Sequence, residues 1–240
     1  MPDNILCGPI LRSTTRNRVC VWIALDSALD LTLEILDLNK NPVGRSDPDE
    51  LKSSRFQLGN GLHVYLLRAY PLDTQGQIDK NLHYQTRKLH YYQLKNGESA
   101  IDLKEVKLTY GSHKHPVFHI PEKPTSVLYG SCRKPHGIKD KNNDTDCLTL
   151  GDDLLNIHHD DVEKRPDLLL LTGDQIYADD VEASLLYTLR DQAEILMGRI
   201  ETLPLSDDDN SEQRSITPKT IPLGGRKLEL KKGLRKLKRV

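Results

Sequence analysis

Asp174 stands where a side chain can do chemistry. It closes the run R-P-D-L-L-L-L-T-G-D (165–174), with Tyr177 three residues on and Asp179-Asp180 just after it. The four leucines predict a short strand buried on both faces, and Gly173 lets the backbone turn and approach a ligand. Asp174 then lies just past the carboxyl end of a buried strand, the edge where ligands bind in open α/β sheets. Carboxylate and phenol oxygens there are hard donors for a metal ion. An aspartate after a glycine also serves as a helix N-cap or a turn former. A second β-leaning run, 126–129, ends in Gly130-Ser131-Cys132-Arg133 and offers another possible ligand.

The elements that must position these residues are two strands and a crossover. Residues 146–162 predict a helix, with Leu150, Leu154 and Ile157 at i, i+4 and i+7. A right-handed crossover through it places both strand ends on one edge of a parallel sheet. Residues 182–200 predict a second amphipathic helix, with Leu185, Leu189, Leu196 and Ile200 on one face.

The pair Y-G-S-C-R-K-P-H-G (129–137) and L-T-G-D-Q-I-Y-A-D-D-V (171–181) resembles the alkaline phosphatase D (PhoD-like) family of calcineurin-like metallophosphatases. G-P-I-L-R (8–12) and V-C-V-W (19–22) resemble that family's N-terminal β domain, and the likeness runs from about residue 5 to about residue 205. The resemblance implies a metal-dependent phosphoesterase that acts on phosphate mono- or diesters through iron and calcium. It implies Asp174 as the bridging carboxylate and Cys132 and Tyr177 as ligands. Thiolate and phenolate are strong electron donors suited to trivalent iron; the ordinary alternative for Cys132 is a small buried hydrophobe. Arg133 is the catalytic candidate, a planar fork for a substrate phosphate, with an ion pair to Asp179 or Asp180 as its structural alternative. His136 is a weaker candidate still. The family's later Asn, Asp-Asp-His and closing histidine motifs have no counterpart after residue 181, and every histidine lies at or before His159. Three donors fall short of the roughly six that two ions share. The expectation is therefore a C-terminally truncated, catalytically incomplete member. The alternative is a non-catalytic remnant that binds through its β domain and basic tail.

The fold class expected is mixed, with an N-terminal β-sandwich at 1–122 and the incomplete start of an α/β metallophosphatase domain at 123–205. Pro121 and Pro124 mark the boundary between them. Residues 206–240 read as a polar, disorder-like linker (206–215) and a basic tail. Residues 226–240 carry net +7, leaving −8 on residues 1–225 of a total of −1. An acidic body argues against a nucleic-acid binder, though the tail could touch nucleic acid or an anionic surface. No stretch reaches the ~20 apolar residues of a membrane span, and the N-terminus lacks a signal-like core. Four dispersed cysteines without a C-x-x-C pair suit reduced thiols and a cytoplasmic location.

Within 1–120, strands are expected at 19–24, 29–36, 55–58, 62–70, 89–94 and 106–110, separated by turns such as 59–61 and 96–97 and packed around Trp22. Tyr84, Tyr91 and Tyr92 suit packing. His113, His115 and His119 have no acidic or cysteine neighbour in sequence, which disfavours a metal role. His158 and His159 suit interaction with a helix C-terminus.

Overall fold

Hydrophobic residues alternate along 62–71, and in the computed structural model this segment is a strand whose His63, Tyr65, Leu67 and Ala69 point inward. The structure describes residues 5–72, 78, 88–105, 107–121, 123–133, 146–177, 183–199, 203–205 and 214–216. Among the described residues, nine strands build the N-terminal region: β1 (Ile5–Thr15), β2 (Arg18–Leu25), β3 (Leu31–Leu36), β4 (Pro42–Ser46), β5 (Arg55–Gly59), β6 (Leu62–Pro71), β7 (Leu89–Asn96), β8 (Ser99–Ala100) and β9 (Val117–His119). They pair in the order β1-β2-β6-β4-β3-β7-β8, with β5 also on β6 and β9 also on β7. The turn spacing predicts two packed sheets; the hydrogen bonds instead join all nine strands into one curled antiparallel sheet.

Its core is made by inward positions of β2, β3, β6 and β7. Ile23, Leu25, Leu33, Ile35, Leu67 and Leu94 are fully buried, each worth about 1.5–3 kcal/mol before the entropy of ordering is subtracted. Trp22 is not the centre expected of it. It lies between Val21 and Ile23, whose side chains take the inner face, so the pleat turns the indole to the half-exposed side. Tyr91 and Tyr92 pack as expected, and Tyr84 lies outside the described residues. The strand expected at 106–110 is absent among the described residues there, which form turns and bends. Glu34 is the one buried carboxylate on β3. Arg45 from β4 and Gln93 from β7 stand opposite it, and both bond to it; Lys95 lies 3.1 Å away.

Beyond the sheet, β10 (Val127–Gly130) and β11 (Leu168–Leu171) pair in parallel, Val127 beside Leu168 through Gly130 beside Leu171. Between them runs α1 (Leu148–Ile157), shorter than the predicted 146–162 because the chain turns at residues 158–160 and 162–164. Asp167 fixes the start of the pair. Its fully buried carboxylate accepts from His119 Nε2 at 2.7 Å, from Thr125 N at 2.7 Å and Oγ1 at 3.1 Å, and from Ser126 N at 3.1 Å. Burial opposes its ionisation, but these hydrogen bonds outweigh it and hold the carboxyl well below the usual carboxylate range.

One burial expectation is corrected: Leu168–Leu171 are 43–49% exposed rather than covered on both faces. Leu150 and Ile157 of α1 are 62% and 70% exposed. A two-stranded sheet and one helix do not enclose each other's apolar faces.

The chain divides into two compact units, residues 1–58 with 62–180, and residues 59–61 with 181–240. The second contains α2 (Ala183–Met197) and an antiparallel pair, β12 (Leu203–Leu205) with β13 (Arg214–Ile216). β13 begins within the segment expected to be disorder-like, and on α2 Leu185 and Leu189 are exposed.

Candidate metal centre

The parallel ladder continues past the strand ends. Thr172 N donates to Gly130 O and Cys132 N donates to Gly173 O, each at 3.0 Å, so the two chains leave the sheet side by side. Cys132 and Asp174 then both adopt left-handed backbone conformations, with φ of 54° and 48°. That turn brings the Cys132 thiol within 3.5 Å of Asp174 Oδ2, although 42 residues separate them. Both side chains are exposed, and the Ser131 hydroxyl lies 3.4 Å from the same sulfur. A thiolate and a carboxylate at that spacing suit two positions on one ion with bonds of about 2.0–2.3 Å. Gln175, Arg133 and Asp146 line the adjoining concavity together with Cys132.

Tyr177 lies half-buried in the coil that follows Asp174. Arg133 is engaged elsewhere. Its Nε and Nη2 grip Asp146 Oδ1 and Oδ2 at 2.9 and 2.6 Å, and Asp146 Oδ1 also accepts from Leu148 N at the start of α1. This pairing raises the arginine's pKa and lowers the aspartate's. The guanidinium fork is filled by a carboxylate that the sequence reading did not weigh. His136, Asp179 and Asp180 lie outside the described residues, as does the basic tail.

Histidines judged to lack acidic partners have them in space. His119 meets Asp167, as above, and His113 Nε2 lies 2.7 Å from Asp160 Oδ1, across 47 residues. His159 Nε2 reaches Asp160 Oδ2 at 3.2 Å, while its Nδ1 donates to Asn156 O in the last turn of α1, the helix-terminal contact expected of it. His113, His159 and Asp160 can thus converge on a metal. Asp160 lies 47 residues from His113, beyond any local pattern around His-x-His, and the run His158-His159-Asp160 is its signal in the sequence. None of the four cysteines forms a disulfide. No described helix is long and apolar enough to cross a membrane. The chain matches no protein-family model, no curated protein and no solved structure.

Proposed function

We propose that the carboxyl edge of β10 and β11 is the metal-liganding part of a phosphoesterase site of the PhoD-like kind, directed at phosphate mono- or diesters. The observation that carries this reading is the approach of Cys132 to Asp174 at 3.5 Å, past the ends of two adjacent parallel strands. Cys132, Asp174 and Tyr177 are the donors, with iron and calcium the ions the resemblance implies. Bound there, such ions would polarise a phosphoryl oxygen and activate water. The chain's own part is positional. Backbone bonds between the strand ends and the left-handed turns set the spacing of thiol and carboxylate, and Cys132 lines the adjoining concavity. Arg133 serves here to tie the segment after β10 to the start of α1 through Asp146; for it to receive a substrate phosphate, that pair would have to open. Three matching donors are fewer than a dinuclear centre uses, so residues 1–240 alone should hold metal yet hydrolyse esters weakly.

The test is ferric loading of the purified chain. Expected are a visible charge-transfer band and bound iron, both lost in Cys132→Ser and in Asp174→Asn, with aryl-phosphate hydrolysis near background. No iron retained by the wild type, or equal retention by both variants, would overturn the site. Brisk hydrolysis abolished by Asp174→Asn would instead overturn the incompleteness.

A further inference from the structure

We infer that His113, His159 and Asp160 form a separate site for a divalent transition ion such as Zn²⁺, built from two imidazole nitrogens and one carboxylate. The strongest argument is the convergence of the donor atoms. His159 Nδ1 lies 2.7 Å from Asn156 O, a carbonyl that can only accept, so Nδ1 carries a proton and Nε2 is the nitrogen turned to the cluster. Nε2 faces Asp160 Oδ2 at 3.2 Å, a spacing that a ring proton or a metal ion can fill. Asp160's other oxygen stands 2.7 Å from His113 Nε2, so one carboxylate faces both rings.

The donor atoms all lie within 4.8 Å of one another. A tetrahedral ion with bonds of about 2.0–2.1 Å needs donor separations of about 3.3 Å, which small side-chain rotations supply. Supporting groups are already placed. The His113 Nδ1 is 3.3 Å from the Tyr91 hydroxyl, and the two imidazoles meet edge-on with centroids 5.3 Å apart. Outer contacts of this kind orient ligand histidines. Arg165, nearly buried, donates to the His159 carbonyl at 3.1 Å and to Val117 O at 3.1 Å, which anchors the turn carrying His159 and Asp160 to β9. Gly111 makes room: at φ +54° a Cβ would lie 2.4 Å from His159 Nε2. The site is largely covered at His113 and open at Asp160, whose side chains are 12% and 65% exposed. Three protein ligands with an open face leave a position for water or a small ligand.

The experiment uses the full chain carrying Cys132→Ser and Asp174→Asn, so that the other proposed site is silent. After chelator treatment it is titrated with Zn²⁺ by calorimetry and with Co²⁺ by visible absorption. Expected are one equivalent bound at micromolar affinity or tighter and Co²⁺ bands typical of a four-coordinate nitrogen–oxygen site. Asp160→Asn, at an exposed position, and His159→Gln should each weaken binding at least tenfold with an unchanged circular dichroism spectrum; Gly111→Ala should do the same by displacing the ring. No saturable binding would show that a proton alone bridges the cluster and would overturn the inference. So would an affinity unchanged in both Asp160→Asn and His159→Gln.

Discussion

Replacing Asp167 by alanine should be among the most damaging single changes in the first unit. The side chain is 0% exposed and accepts four hydrogen bonds, from His119, twice from Thr125 and from Ser126. Its backbone N–H also donates to Ser126 O at 2.8 Å, so the residue joins β9, the entry to β10 and the entry to β11. Hydrogen bonds to a charged group are worth about 1.5–3 kcal/mol each, but they do not add when one acceptor serves all of them. Removing one partner of a buried pair costs about 3–5 kcal/mol, and about 4 kcal/mol is expected here. With a urea slope of about 2 kcal/mol per molar, the unfolding midpoint followed by Trp22 fluorescence falls by about 2 M. Asp167→Asn should lie between, because an amide keeps one acceptor oxygen but turns an NH₂ toward the other donors. The pH dependence has a definite sign. The folded carboxyl is held below its unfolded value of about 4, so its contribution is fully present above that value. It is lost as pH falls below about 4 and the unfolded chain takes up the proton first. The gap between wild type and Asp167→Ala should thus be constant from about pH 5 upward and shrink at pH 3. A midpoint shift under about 0.5 M, or an equal gap at pH 3 and pH 7, would refute this reasoning.

Leu33→Ala, at a fully buried position, should cost about 2–5 kcal/mol in urea unfolding, whereas Leu170→Ala, at a position 45% exposed, should cost under about 1 kcal/mol. Comparable losses would mean that the β10–β11 leucines are covered in solution. Glu34→Gln should destabilise the sheet by about 3 kcal/mol, because Arg45 and Lys95 lose their shared counter-ion on a side chain only 3% exposed; an unchanged midpoint would count against that pairing.

Much of the strand pattern was legible because it rests on local chemistry. The alternation along β6 and the turn at Asn96-Gly97, where Gly97 has φ +59°, need no distant partner to be recognised. The glycine-closed runs that became β10 and β11 were legible for the same reason, and their parallel pairing makes the Cys132–Asp174 approach a consequence of register. What stayed hidden depends on residues far off in sequence. Four leucines in a row read as buried, yet burial is decided by what packs over them. His113 finds Asp160 and His119 finds Asp167 across 47 and 48 residues, beyond any local window. Arg133 grips Asp146 at the head of α1, a carboxylate 13 residues on, while the acidic pair Asp179-Asp180 lies outside the described residues.

The left-handed conformations of Cys132 and Asp174 have a further implication. For a residue with a Cβ, that conformation costs about 1 kcal/mol or more relative to glycine, with aspartate penalised less than most. Glycine at both positions would follow the same turns without a side chain. The sheet edge therefore carries a conformational cost on the order of 1–2 kcal/mol, and the same turns hold a sulfur and a carboxylate side by side. At these two positions glycine would relax the backbone and remove the sulfur and the carboxylate together.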